Sequence, residues 1–253
     1  MDEINEALPM ASGAWALFLD VDGTLIDIAE TPDAVQVPAE LPQQIARLSE
    51  SLSGALALVS GRSIASLDAL FEPYLFPAAG LHGMEMRSAA DGSVKRPTID
   101  QDELGVARHT LGDLAQRWPG IIVEDKKIGF AVHYRLAPQA AGEVDRSIEA
   151  LLLRLGPDWT RQDGKMVVEI RPSGTSKADA VARLMSAAPF LGRTPIAVGD
   201  DLTDETMFAY ANGVRGRSVK VGISQHPTLA QFNVKSPQAI REWIARLAAT
   251  SPP

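Results

Sequence analysis

Cysteine is absent from the 253 residues. That excludes disulfide bonds, thiolate nucleophiles and Cys-ligated zinc together, and it suits a reducing, cytoplasmic setting. Histidine is nearly as scarce: there are 4, and none has zinc-binding spacing. No stretch approaches the ~20 consecutive apolar residues of a membrane span. The start, Met1-Asp2-Glu3-Ile4-Asn5-Glu6, is acidic and lacks the basic opening of a secretory signal. Positive charge is in deficit. The 24 Lys and Arg face 32 Asp and Glu, a net charge of -8. That balance argues against a nucleic-acid surface spread over the fold but leaves room for a local cationic pocket. Nothing in the chain points to a partner protein. What is present is ordinary globular usage, 45% hydrophobic and 22% charged, which sets aside disordered and fibrous classes.

The apolar pattern predicts two kinds of structure. Trp15 to Asp22 reads as a buried strand ending in a loop at Gly23-Thr24. Leu41 to Leu52 has helical spacing, Ala55 to Val59 is a second buried strand, and Ser63 can cap a helix over Ile64 to Leu70. A third strand is expected near Leu75 to Leu81. This alternation favours a parallel α/β sheet. The rhythm then changes to helix, hairpin, helix, hairpin. The helices lie over Leu104–Trp118 and Ala141–Leu155. The first hairpin pairs Ile121–Lys126 with Phe130–Arg135 across Lys127-Ile128-Gly129. The second pairs Trp159–Gln162 with Lys165–Arg171 and turns at Asp163-Gly164. The α/β pattern resumes with a helix from Lys177 to Ala187, a strand from Pro195 to Val198, a helix capped by Thr203, a strand from Arg217 to Gly222 and a helix from Pro237 to Ala248. The expected fold class is therefore α/β, a Rossmann-like parallel sheet core over 1–98 and 173–253. An inserted antiparallel α+β cap occupies 99–172, with Pro97 and Pro172 near the joins.

Ligands of open parallel sheets bind beyond the carboxyl ends of the strands. Those ends carry Asp20 and Asp22, Ser60, and Asp200 and Asp201. Loops favour polar residues anyway, but an unpaired carboxylate beside Leu17-Phe18-Leu19 is costly to bury. Acidic strand ends gathered at one edge also repel unless a cation sits among them, and Mg²⁺ prefers a few carboxylate oxygens. In Asp20-Val21-Asp22-Gly23-Thr24, one carboxylate can attack phosphorus and the other can move a proton. Gly23 permits close approach, and Thr24 offers a hydroxyl and an N–H to an anion. Ser60 can donate to a phosphoryl oxygen, and Lys177 can supply fixed positive charge.

Asp20-x-Asp22-Gly23-Thr24, Ser60, Lys177 and Gly199-Asp200-Asp201-x-x-Asp204, in that order on an α/β core, resemble the motif set of the haloacid dehalogenase-like (HAD) phosphatases. Ser60-Gly61-Arg62, Gly80-Leu81-His82-Gly83, Glu124-x-Lys126 and Val168-Glu169-Ile170-Arg171-Pro172 narrow the likeness to the trehalose-phosphate phosphatase family within it. One departure is Ser176-Lys177-Ala178, where many relatives have Asn-Lys-Gly.

The resemblance implies a small-molecule sugar phosphate as substrate and Mg²⁺ as cofactor, held by Asp20, the Asp22 carbonyl, Asp200 and Asp201, the last directly or through water. It implies that Asp20 is the nucleophile and Asp22 the acid and base. The second role calls for burial or neighbouring carboxylates around Asp22. Ser60 and Lys177 would orient the transferring group, and Asp204 would position Lys177 or a metal-bound water. An acidic residue at a helix start is the alternative account of Asp204. Substrate-binding candidates are Gly23, Thr24, Arg62, His82, Gly83, Glu124, Lys126, Arg135, Glu169 and Arg171. Strand parity puts Glu169 and Arg171 on one cap face, pairs Glu124 with Lys126, and pairs His133 with Arg135. A wet, salt-bridged sheet face is the alternative for that set. Three activities stay open at this point: a trehalose 6-phosphate hydrolase, a phosphatase or mutase of another sugar phosphate such as sucrose phosphate, and a non-catalytic sugar-phosphate sensor.

Overall fold

The computed structural model describes residues 14–29, 35–89, 92–96, 98, 100–126, 128–164, 166–174, 176–223 and 227–250. The acidic start, Pro97, Lys127 and Lys165 lie outside the described residues. The chain divides into two compact units, Met1–Arg96 with Ser176–Pro253, and Pro97–Thr175.

The first unit is built on a seven-stranded sheet. Its strands are β1 (Trp15–Leu19), β2 (Leu56–Val59), β3 (Ala78–Gly80), β4 (Glu85–Arg87), then β9 (Thr194–Gly199), β10 (Arg217–Val221) and β11 (Phe232–Val234), with β5 to β8 in the second unit. Their spatial order is β11-β10-β9-β1-β2-β3-β4. All pairings are parallel except that of β4 with β3. The central strands β1, β2 and β9 are almost wholly buried, as their unbroken apolar runs require of a sheet covered on both faces. Register sets Phe18 of β1 between Ala57 and Ala197, two small neighbours, and its ring stacks on Phe190 at 5.5 Å. Helices α1 (Leu41–Ser51), α2 (Ile64–Leu70), α5 (Lys177–Met185), α6 (Glu205–Gly213) and α7 (Pro237–Thr250) belong to this unit, with α3 and α4 in the other. Ser63 caps α2 by accepting from the Ser66 N–H, as expected.

The second unit pairs β5 (Ile122–Asp125), β6 (Phe130–His133), β8 (Val167–Pro172) and β7 (Trp159–Gly164) in an antiparallel sheet of order β5-β6-β8-β7. Helices α3 (Gln101–Arg117) and α4 (Ala141–Leu155) share one core with it. Leu104, Leu111, Leu114, Val144, Ile148 and Leu151 pack with Phe130, Val132, Val168 and Ile170. The alternating residues of the strands are left on the opposite, polar face.

Several expectations shift. β1 stops at Leu19, and Asp22 is instead bridged to Ile26 in a tight turn where the Thr24, Leu25 and Ile26 N–H groups converge on the Val21 carbonyl. Asp20 and Asp22 therefore do not share one face of a continuing strand. In the second hairpin, β7 runs on through Gly164, which still pairs with Val167. Asp163 and Gly164 are thus strand rather than turn, and Met166, just before β8, has φ 62°. Asp204, not Thr203, stands at the N-cap of α6. The sheet is mixed rather than purely parallel, because of the antiparallel edge strand β4.

Candidate active site

The carboxyl ends of β1, β2 and β9 open into a cleft of about 510 Å³. Asp20, Asp22, Ser60, Arg62, His82, Lys177 and Asp201 are among its lining residues.

Lys177 begins α5. Ser176 and Asp179 form a capping box there, so the lysine starts from a fixed backbone. Its ammonium is 3% exposed and donates to Asp20 Oδ1 at 2.7 Å and Asp204 Oδ1 at 2.5 Å. The other oxygen of Asp204 accepts from the backbone N–H groups of Asp200 (2.8 Å) and Asp201 (3.0 Å). Asp204 is thus a buried hub that folds the loop after β9 around the lysine. Thr24 donates to Asp200 Oδ1 at 3.3 Å. Gly23 has φ 78°, and a Cβ there would lie 2.2 Å from Asp200 Oδ2, so only glycine allows this approach of the two loops.

Asp20, Asp200 and Asp204 each bring an oxygen within 4.8 Å of the others. One ammonium cannot balance three crowded carboxylates. Burial pushes the Asp20 carboxyl up, Lys177 opposes this, and the charges of Asp200 and Asp201 add to it. Burial, helped by the charges of Asp204 and Asp201, raises Asp200 to about 6. Burial and then the Asp20 charge push Asp204 up, against Lys177. Burial alone would lower Lys177, but Asp20, Asp204 and Asp201 together hold it above the usual lysine range. Asp201 behaves differently. Burial would raise it, but the Lys177 charge and the Thr203 hydrogen bonds hold it below the usual carboxylate range.

Of the four residues expected to hold a metal, Asp20 and Asp200 are brought together. The Asp201 carboxylate accepts from the Thr203 N–H (2.8 Å) and hydroxyl (2.7 Å). The Asp22 carboxylate is gripped at both oxygens by Arg62, through Nε and Nη2 at 2.7 Å each. A guanidinium, rather than the burial or carboxylates expected, is what faces Asp22. Ser60 is buried and accepts from the Arg62 N–H at 3.1 Å. Gly83 packs on the α5 start, where a Cβ would lie 2.8 Å from the Ser176 oxygen.

In the second unit, Glu124 and Glu169 both lie beside Ala131 across the sheet and share its polar face. Lys126 donates to Glu169 Oε1 at 2.5 Å, and His133 Nε2 lies 3.2 Å from Glu124 Oε2. His133 therefore meets Glu124, not Arg135, which is exposed in the turn beyond β6. Arg171 is half-buried on β8.

Two residues escaped the sequence reading. Lys220, in β10, is 5% exposed and donates to the backbone carbonyl of Asp200. A lysine inside the run Val219-Lys220-Val221 was the available signal, since such a cation needs a partner when buried. Thr203 holds Asp201, and nothing in its spacing distinguishes that from a helix cap.

Comparison with known proteins gives consistent results. The family model described as Trehalose-phosphatase matches residues 18–238. A probable trehalose-phosphate phosphatase of Sinorhizobium fredii is 48% identical over 247 residues, covering 98% of this chain and 92% of that one. The trehalose-6-phosphate phosphatase of Escherichia coli is 42% identical over 246 residues, covering 96% and 90%. The structure of Aspergillus fumigatus trehalose-6-phosphate phosphatase superposes with a TM-score of 0.78 at 22% identity, covering 99% of this chain and 98% of that one. A haloacid dehalogenase-like hydrolase of B. subtilis gives 0.65 at 14%, covering 94% and 99%. Both structures share the fold.

Proposed function

Because the chain belongs to the trehalose-phosphatase family, we propose that it hydrolyses trehalose 6-phosphate to trehalose and phosphate through a phosphoryl group carried on Asp20. The observation that carries this reading is the buried Asp20–Lys177–Asp204 chain, with Asp200 beside it, at the carboxyl ends of the central strands.

The donor set fits a divalent cation. Crowded carboxylate oxygens with one balancing ammonium form a hard, negatively charged site, which suits Mg²⁺. Asp20 and Asp200 would hold it, with Asp201 and the Asp22 carbonyl beside them, while Asp204 stays with Lys177. Bound there, the ion would neutralise the attacking carboxylate and the phosphoryl oxygens.

The chain's own residues do the rest. An Asp20 oxygen bonds to phosphorus as the bond from phosphorus to the sugar oxygen breaks, and Asp22 gives that oxygen a proton. Asp22 then takes a proton from the water that attacks phosphorus and frees phosphate. Ser60 and Lys177 hold the phosphoryl oxygens; Thr24, expected to offer an anion its hydroxyl and N–H, is buried and spends them on Asp200 and the Val21 carbonyl. Asp22 can serve only once Arg62 leaves it, and an entering phosphate is the competing anion that draws Arg62 away. Gly23 keeps the loops close. Gly83 seats the α5 start, and His82 reaches the substrate.

Pro97–Thr175 acts as the cap, over about the span 99–172. Glu124, Lys126, Glu169, Arg171 and Arg135 supply the acceptors and donors that a polyhydroxyl ligand requires. Among the described residues no helix is long and apolar enough to cross a membrane. A cytoplasmic setting, which the lack of cysteine suits, completes the reading. The test is a panel of sugar phosphates assayed for phosphate release with and without a chelator. Release from trehalose 6-phosphate, abolished by chelation, is expected. Release from sucrose phosphate but not the trehalose ester would overturn the reading.

A further inference from the structure

The turn that follows β3 is strained. Leu81, His82 and Gly83 have φ of 48°, 56° and 99°, so two residues with side chains sit in the left-handed region beside a glycine. Such conformations persist only where their surroundings over-determine them, and they collect at functional sites. Here the surroundings are the loop after β2. The Leu81 N–H donates to the Arg62 carbonyl at 2.8 Å, and the His82 N–H donates to the Ser60 carbonyl at 3.0 Å. The turn is therefore clamped to the segment that carries Ser60 and Arg62.

The clamp fixes the imidazole as well as the backbone. A Cβ at Gly61 would lie 2.8 Å from both Cε1 and Nε2 of His82, so the ring rests on space that only glycine leaves open. His82 is partly buried and lines the same cleft as Asp20, Asp22, Ser60, Arg62 and Lys177.

We propose that His82 contacts the substrate, its ring donating a hydrogen bond to a phosphoryl oxygen of the ester. The inference rests on the phosphatase reading and deepens it. Asp20, Ser60 and Lys177, which line the cleft with the ring, are the groups assigned above to the phosphoryl group. An imidazole carries at least one N–H in either protonation state. The backbone clamp holds that donor in place before substrate arrives, as stabilisation of transferring charge requires.

The test compares wild type, His82→Asn and Gly61→Ala. Asparagine tolerates a left-handed backbone, so the turn survives while the ring is lost. Alanine at Gly61 keeps the ring and pushes it aside. Inorganic phosphate is the probe, as a competitive inhibitor of a small aryl phosphate with Mg²⁺ present, and kcat/KM is measured on that ester and on trehalose 6-phosphate. Both variants should keep the wild-type circular dichroism. Both should bind inorganic phosphate at least about tenfold more weakly, as for a lost hydrogen bond to a charged group. Both esters should lose kcat/KM by similar factors. Unchanged phosphate inhibition in both variants overturns the proposal. So does a loss confined to the trehalose ester, which would place the ring on the sugar. If His82→Asn does not fold, Gly61→Ala decides alone. Should wild type turn over the aryl ester but no trehalose ester, the substrate reading fails while phosphate inhibition still judges His82.

Discussion

The crowded carboxylates make a strong prediction about pH. Asp200 titrates near about 6 in the folded chain, whereas an unfolded aspartate titrates near about 3.9. The folded state thus binds a proton that the unfolded chain has already released. A group raised in this way contributes stability that is complete below about pH 3.9 and is lost as pH climbs through about 6. The gap of roughly two pH units is worth about 3 kcal/mol for Asp200 alone. Burial pushes Asp20 and Asp204 up as well, which carries the loss to higher pH. A divalent cation among these oxygens replaces the protons, so it should stabilise the chain more as the protons leave. The assay is thermal unfolding from about pH 5 to about pH 8, in chelator and in saturating Mg²⁺; roughly half of the about 3 kcal/mol is still to be lost above about pH 5, which corresponds to roughly 3–6 °C in a chain of this size. With chelator the melting temperature should fall across this range. The increment due to Mg²⁺ should grow with pH, and subtracting the two curves removes titrations unrelated to the site. An increment that shrinks as pH rises would refute the reasoning.

Two further outcomes follow from single contacts. Lys220→Met removes the donor to the part-buried Asp200 carbonyl, leaving that acceptor without its protein partner at a cost of about 1 kcal/mol. Thermal unfolding should register that loss, and an unchanged melting temperature would show the contact to be dispensable. Glu124→Ala should lower kcat/KM on trehalose 6-phosphate far more than on a small aryl phosphate, because the change lies on the polar face of the second unit. Equal losses on both would mean a folding defect rather than lost recognition.

What the sequence made legible was what repeats locally. The runs around Leu17, Leu56 and Ile196 could only be strands buried on both faces, and Ser63 announced its helix. The aspartates at strand ends were legible as a cluster because apolar neighbours leave a carboxylate no cheap alternative. Partners distant in sequence were not legible. Arg62 meets Asp22 forty residues away, and Glu85 and Arg87 hid the edge strand β4. Both are charged yet buried, Glu85 because it accepts from the Ile64 N–H at 2.7 Å and Arg87 because it grips Asp68. The end of β1 was misplaced because Val21 prolongs the apolar pattern, while the turn is set by backbone bonds to its carbonyl.

The central claim is that Asp20 bonds to phosphorus, and the most direct measurement is the rate of phosphate release from trehalose 6-phosphate by Asp20→Asn with Mg²⁺. The amide is nearly the same size, and it removes the nucleophile while relieving the carboxylate crowding. The folded variant should be at least as stable as wild type in chelator and should lose at least about 10⁴-fold in kcat, as for other enzymes stripped of a nucleophile. A folded Asp20→Asn that retains a tenth or more of the wild-type rate, to take about one decade as the limit, would contradict the account.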